Sequence, residues 1–349
     1  MIAAQVRLLL VTIATFLLAP AVARAAGDSS IFYYPWWGTR AQDGKYVHWS
    51  QYGHAPPSDL ATTYYPARGP YSSSAPDVVR AQMEEIAAAG VSEVIASWWG
   101  WGSAEDARLP LLLRAAKRTG LTVAVHLEPY DGRTVATVVA NVAHLRDLGI
   151  RRIYLYKPFA LDATDWASLA PDLKGPELYA ETTDVDRAVA WGFDGVYTYD
   201  VFGVRGGAFT SLCSRAHAAG LACAPSVGPG YNAERATGDR RIRSRRRGTT
   251  YDDMWRAAIA VRPDRITITS YNEWHEGTQI EPAQKRPRAL FNTYQSYEGA
   301  YGKFGAAAER AYLVRTGYWT RMYRIAAAVT STLRLVAVWG GSDAGDDVG

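Results

Sequence analysis

Arg265-Ile266-Thr267-Ile268-Thr269-Ser270-Tyr271-Asn272-Glu273-Trp274-His275-Glu276 is the stretch on which the reading of this chain turns. Its first five residues carry alternating β-branched side chains and predict a strand. That strand runs directly into two carboxylates three positions apart, set among an Asn, a Trp and a His. A polar loop capping the next helix would account for one Glu. Two Glu with a Trp and a His beyond a strand suit the cleavage of a sugar bond. One carboxyl can protonate the departing oxygen while the other deals with the positive charge that builds at the sugar carbon.

Working outward, the same pattern of strand and then helix repeats. Strand-like segments end near Tyr34, Ser97, Leu127, Tyr156, Thr182, Tyr199, Val227 and Ser270. Helical stretches are predicted over 76–89, 108–119, 134–148, 184–191, 208–219 and 251–261, with an eighth over Leu290–Phe304. The helix after the fourth strand has the weakest pattern. Ala88-Ala89-Gly90 and Ala218-Ala219-Gly220 read as helix stops followed by strands. Eight such units over about 280 residues predict a single-domain (β/α)8 barrel. A doubly wound open sheet would need a glycine-rich phosphate turn after its first strand, and Pro35-Trp36-Trp37-Gly38 is not one.

In a barrel, chemistry gathers at the carboxyl ends of the strands. Those ends here carry Tyr34 and Trp36-Trp37, then Trp98-Trp99, then His126-Leu127-Glu128, then Tyr156-Lys157 and Glu181. Tyr199-Asp200, Tyr231 and the Glu273–Glu276 segment complete the ring. Nearly every end holds an aromatic or a carboxylate and few hold a cation. Such a cleft suits a neutral glycan better than a phosphate or a nucleic acid.

Composition points the same way. The 349 residues include 12 Trp and 22 Tyr against only 8 Phe. Rings with a polar edge can stack on sugar faces and still hydrogen-bond, although most of them serve in packing. The net charge is +4, and much of the excess sits in Arg240–Arg247. That run has no interleaved aromatics. It reads as a solvated loop, with anion binding as the alternative, and no nucleic-acid partner is expected. No spacing of His, Cys, Asp or Glu resembles a metal cluster.

Residues 1–25 read as a secretory signal. Arg7 precedes an apolar core, Leu8 to Leu18, and Ala23-Arg24-Ala25 offers a small-x-small cleavage site. The expected divisions are therefore a signal at 1–25, a catalytic barrel at 26–318 and a partly disordered tail at 319–349. The expected location is outside the cell, on its surface or in the periplasm, without stable membrane insertion, and the expected state is a monomer. Cys213 and Cys223 fall on a helix and the strand after it, which leaves a disulfide and two separate thiols equally open.

The strand-end motifs resemble glycoside hydrolase family 99, the endo-α-1,2-mannosidases and endo-α-1,2-mannanases. The matching segments are Phe32 to Gly38, Asp43 to Trp49, Ser97-Trp98-Trp99, His126 to Arg133, Gly192 to Tyr199, Ser226 to Tyr231 and Asn272 to Pro282. The resemblance implies a (β/α)8 barrel and a retaining, endo-acting enzyme that needs no cofactor or metal. Its partner would be a mannose-containing oligo- or polysaccharide. It implies that Glu273 draws the proton from a mannose 2-hydroxyl, whose oxygen attacks the anomeric carbon to give a 1,2-anhydro sugar. Glu276 would protonate the leaving oxygen and later deprotonate water, so it would need a raised pKa. Tyr34, Trp98, Trp99, His126, Glu128, Tyr199, Tyr231, Asn272 and Trp274 are the expected sugar-contacting residues, with His275 orienting the loop. At the fourth strand this chain departs from the family pattern: it reads Tyr156-Lys157-Pro158 where relatives continue into an Asp-Ser pair.

Three alternatives stand beside this reading. The first is the same hydrolase acting on another α-mannoside or glycan linkage. The second is a non-catalytic, glycan-binding barrel. The third is a metal-dependent hydrolase, which the absence of ligand spacing disfavours.

Overall fold

Alternation along the strands sorts the side chains into a barrel lumen and an outer layer. The computed structural model describes residues 27–286 and 294–340, with side chains described as far as residue 330. The expected signal segment, residues 1–25, lies outside the described residues. β1 (Ser29–Tyr33), β2 (Glu93–Trp98), β3 (Thr122–Leu127), β4 (Arg152–Leu155), β5 (Glu177–Glu181) and β6 (Gly195–Tyr197) pair in parallel, each with the next. The seventh stave is broken at Pro225. Ala222–Ala224 pairs with β6, and Ser226–Val227 pairs with β8 (Ile266–Ile268). Because β8 also pairs with β1, the nine strand segments close on themselves as eight staves.

Phe32, Tyr34, Ile95, Ala124, Tyr154, Tyr179, Tyr197, Tyr199, Ala222 and Ala224 fill the lumen. Their neighbours Ile31, Tyr33, Val94, Trp98, Val125, Ile153 and Val196 face outward into the helix layer. This period of two follows from the pleat. Five tyrosine rings are accommodated partly because Gly195 lacks a side chain: a Cβ there would meet the Tyr179 ring at 2.5 Å. Charge closes the amino-terminal floor. Glu93 accepts from Arg152 Nη1 at 2.5 Å and from Ser30 Oγ at 2.8 Å, and Arg265 Nη1 reaches Ser30 Oγ at 3.1 Å.

The helices fall close to their expected places. The stretch expected from 108 begins earlier, as Ala104–Arg118, because the Ser103 side chain caps it by accepting the N–H of Asp106. The poorly patterned helix after β4 is Ala163–Leu169, capped by Asp162. The eighth helix differs from expectation. Of Leu290–Phe304, residues 290–293 lie outside the described residues. Residues 294–304 are irregular apart from a 3-10 turn at Ala300–Gly302, since Gly299, Gly302 and Gly305 take left-handed φ values. The helix that closes the barrel is Ala311–Gly340.

That helix also crosses the boundary expected at 318. Trp319 and Tyr323, read as tail residues, are buried: the Trp319 indole N–H donates to Asp252 at 2.7 Å and the Tyr323 hydroxyl to the Pro263 carbonyl at 2.7 Å. Cys213, on the helix Phe209–Ala218, and Cys223 form a disulfide, which resolves the open question about these thiols. Among the described residues, no helix is long and apolar enough to cross a membrane.

Candidate active site

The loop after β8 is built to hold its side chains still. The Tyr271 N–H donates to the Phe32 carbonyl, which ties the loop to β1 (2.8 Å). The chain then turns back on itself, with N–H donations from Ile280 to the Ser270 carbonyl (2.9 Å) and from Glu281 to the Tyr271 carbonyl (2.8 Å). Ser270 Oγ accepts the Glu273 N–H at 2.9 Å and lies 2.9 Å from Thr278 Oγ1. Gly277 has φ +65°, and a Cβ on it would come within 2.9 Å of the Asn232 carbonyl. Glycine at this position lets the Glu276 carbonyl accept the Asn232 N–H at 2.7 Å.

Beneath the loop, Glu281 is fully buried and collects four donors. Arg68 Nε (3.0 Å), Tyr71 Oη (2.7 Å), Gln82 Nε2 (2.9 Å) and Trp274 Nε1 (2.9 Å) all reach its carboxylate. Trp274 therefore points into the outer core and away from the mouth. Asn272 is likewise fully buried: its Oδ1 accepts the Tyr34 N–H at 2.7 Å and its Nδ2 donates to the Tyr34 carbonyl at 3.1 Å. It clamps the end of β1 to the acid loop. Trp98 also faces outward, with no exposure, and donates to Asp106 at 3.1 Å. These three were expected to touch sugar, and packing claims them instead. For Trp98 the strand period gives the reason, because Ser97 takes the inward position.

The other expected residues meet at the mouth. The Tyr199 hydroxyl donates to Glu276 Oε2 at 3.2 Å and lies 2.5 Å from the Tyr34 hydroxyl. His126, inside the lumen, contacts the Tyr197 hydroxyl through Nε2 at 2.8 Å, and its Nδ1 lies 2.9 Å from Glu128 Oε1. Ser97 Oγ donates to the same Glu128 oxygen at 2.9 Å. Both contacts fall on Oε1, which leaves Oε2 unpaired among the described residues. Trp99 is 36% exposed, and half-buried Tyr231 donates its hydroxyl to Asp239 at 2.9 Å.

Strand-end and loop residues that were not among the expected sugar contacts complete the wall. The Trp36 ring stacks on His48 at 4.5 Å and stands 4.7 Å from Tyr34 and 6.4 Å from Trp99. Tyr156 packs 5.5 Å from Tyr199 and 5.2 Å from His126. Once Pro35 ends β1, a period of two no longer tells which of Trp36 and Trp37 faces the cleft. His275 does hold the loop: its Nε2 donates to the His48 carbonyl at 2.8 Å, which leaves Nδ1 as an acceptor 4.0 Å from Glu273 Oε1. Burial pushes the His275 pKa down to about 3, so the ring is neutral.

The two carboxyls are electrically linked. Burial pushes Glu273 well above its ordinary range, and the negative charge of Glu276 adds to the effect. The N–H groups of His275 and Glu276 pull the other way. Glu276 is pushed up to about 7, by burial first and then by Glu128, Asp200 and Asp239, while the Tyr199 hydroxyl lowers it. A pair of this kind holds one proton between its members near neutrality. Burial raises both carboxyls, and the like charge between them opposes their ionising together. Chemically, the mouth offers one proton donor, one proton acceptor and rings on which a sugar can lie.

A sequence profile described as "Glycosyl hydrolase family 99" matches residues 27–161 and 176–325. The chain is 33% identical over 332 residues to a glycoprotein endo-alpha-1,2-mannosidase-like protein of Danio rerio, covering 78% of this chain and 75% of the relative. It is 31% identical over 329 residues to the glycoprotein endo-alpha-1,2-mannosidase of Xenopus laevis, covering 77% and 73%. The GH99 endo-alpha-mannosidase from Bacteroides thetaiotaomicron superimposes with a TM-score of 0.77 at 30% identity, over 86% of this chain and 98% of that one. Barrel, mouth and relatives agree: the chain belongs to glycosyl hydrolase family 99 and is a glycoside hydrolase.

Proposed function

We propose that the protein is an exported, retaining endo-α-1,2-mannosidase that cuts internal bonds of mannan or mannose-rich glycans. The observation that carries this reading is the linked pair Glu273 and Glu276 on one rigid loop, with Tyr199 hydrogen-bonded to Glu276. The relatives' names supply the sugar and the linkage.

In the proposed cycle the mannose 2-hydroxyl donates to Glu273, and the glycosidic oxygen accepts from Glu276. Each contact favours the protonation state that the chemistry needs, so substrate sets the pair's proton on Glu276. O2 then forms a bond to C1 as its proton passes to Glu273. The C1–O bond breaks, and the leaving oxygen takes the proton of Glu276. In the second half Glu276 deprotonates water, which attacks C1 of the 1,2-anhydro sugar. Glu273 returns its proton to O2. Two inversions at C1 give net retention. An axial 2-hydroxyl trans to an α-linked leaving group, as mannose has, suits this geometry.

Incubation with α-1,2-linked mannotetraose and with yeast mannan, followed by mass spectrometry, tests the reading. Internal cleavage supports it; both substrates left intact would refute it. A second reading, the same chemistry on another α-mannoside, is favoured by the fourth strand end, where exposed Lys157 takes a left-handed φ of 47° beside Tyr156. A panel of linkages separates the two. Export is inferred from the signal-like pattern of residues 1–25 and is tested by sequencing the amino terminus of the secreted protein.

A further inference from the structure

The arginine run, left aside by the chemistry above, folds into a ribbon. Ile242–Arg243 pairs antiparallel with Tyr231–Asn232, so that Arg243 lies opposite Tyr231. Behind this ribbon is a cavity of about 430 Å³, within the size range of small-molecule sites. Arg243, Arg245, Arg246 and Arg247 line it, against a single carboxylate, Glu298. Glu298 is already engaged, accepting the Gly305 N–H at 3.0 Å. The ion pairs of the run belong to Arg240, Arg241 and Arg246. Among the described residues, no carboxylate lies within ion-pair range of Arg243, Arg245 or Arg247.

Arg245 is the decisive member. It is 8% exposed. Its Nη2 donates to the carbonyls of Gly277 (2.9 Å) and Gln279 (2.7 Å), immediately past Glu276. The rings of Tyr64, Tyr297 and Tyr312 surround its guanidinium at 4.6, 4.8 and 4.6 Å. Its Nε and Nη1 are buried and have no hydrogen-bond partner among the described residues. Ring faces offset part of the charge, but they do not satisfy directional N–H donors. What the site lacks is an acceptor with several oxygens, to which a guanidinium fork can donate twice.

From this we infer that the cavity receives a phosphate or sulfate ester carried on the glycan. Several guanidinium groups converging on one space suit a tetrahedral oxyanion, and a neutral sugar needs none of them. The cavity is lined by Tyr231, which also stands at the mouth, and by Gly277 of the acid loop, which sets it beside the catalytic site. A bound oxyanion would also sit one guanidinium away from the acid loop.

The inference rests on the glycan reading above, but its test does not depend on turnover. Mannose 6-phosphate, mannose 6-sulfate and mannose are titrated calorimetrically into the full chain at low ionic strength. Wild type is expected to bind at least one ester about tenfold or more tighter than mannose, and the Arg243→Gln/Arg247→Gln variant is expected to lose about tenfold of that affinity. The better ligand identifies the ester. The variant should keep its melting temperature and its activity on unsubstituted mannan; should it fail to fold, Arg247→Gln alone serves the same purpose. Absence of ester binding, or equal binding by variant and wild type, would overturn the inference. Inactivity on mannan alongside intact ester binding would instead count against the proposed function.

Discussion

The Tyr199 hydroxyl donates to Glu276 Oε2 at 3.2 Å while lying 2.5 Å from the Tyr34 hydroxyl. Two lumen residues from separate staves of the barrel thus meet beside the proposed acid. A hydroxyl donating to a carboxylate favours the ionised form, so Tyr199 holds the Glu276 pKa down against burial.

Tyr199→Phe removes that donor. The activity profile of the wild type should be bell-shaped, because the pair works with one proton and fails with two or none. Its alkaline limb falls where the pair loses its last proton. In Tyr199→Phe this limb should move to higher pH. A plot of kcat/KM against pH checks the shift, and an unmoved or lowered limb would count against the contact.

The same burial gives a stability prediction. Glu276 has an ordinary value of 4.5 and is pushed up to about 7 in the fold. A carboxyl raised on folding contributes stability that is present below about pH 4.5 and lost as pH rises through about 7. Glu276→Gln should therefore flatten the decline of melting temperature over that window. At pH 8 it should melt about 2–6 °C above the wild type, for a gain of roughly 1–2 kcal/mol. Differential scanning calorimetry at pH 5 and pH 8 reads both ends.

Trp98 and Trp99 are adjacent in sequence and serve different ends. Trp98 is fully buried and donates to Asp106, whereas Trp99 is 36% exposed near Trp36. Trp98→Ala should cost about 3–5 kcal/mol of stability, as expected for a large core ring. Trp99→Ala should leave stability within about 1 kcal/mol and raise KM. Urea unfolding and steady-state kinetics on the two variants distinguish them.

Glu281 makes no contact at the mouth yet anchors its loop through Arg68, Tyr71, Gln82 and Trp274. Glu281→Ala removes the acceptor shared by Tyr71, Gln82 and Trp274, leaves Arg68 paired with Glu85 alone, and should cost about 3–5 kcal/mol, with a fall in kcat from the loosened acid loop. Glu281→Gln, which keeps the shape and some of the hydrogen bonds, should recover part of both. Thermal melts and kcat values for the two variants provide the check.

Much of this was legible before any coordinates. The β-branched run at 265–269 and the aromatic or acidic strand ends were enough to expect a barrel with Glu273 and Glu276 at its mouth. What could not be read concerned direction and distance. Trp98, Asn272 and Trp274 belong to the right segments but turn toward partners in the packing, such as Tyr71 and Glu281. Arg68 lies 213 residues from Glu281, a separation that no local pattern encodes. The glycines at 299, 302 and 305 disrupt the stretch in which an eighth helix was expected, and the helix forms after them. The arginine run shows charge in the sequence, but only the fold reveals that Arg245 is buried beside the acid loop with two unmet donors.

The central claim is that the substrate's own 2-hydroxyl, deprotonated by Glu273, breaks the mannosyl bond. The most direct test compares an α-1,2-mannoside with its 2-deoxy counterpart at the reacting sugar, following the anomeric proton by NMR. The account predicts that the mannoside is cleaved with the α-anomer released first, while the 2-deoxy compound stays uncut over the same period. Cleavage of the 2-deoxy compound at a comparable rate, or first release of the β-anomer, would contradict it.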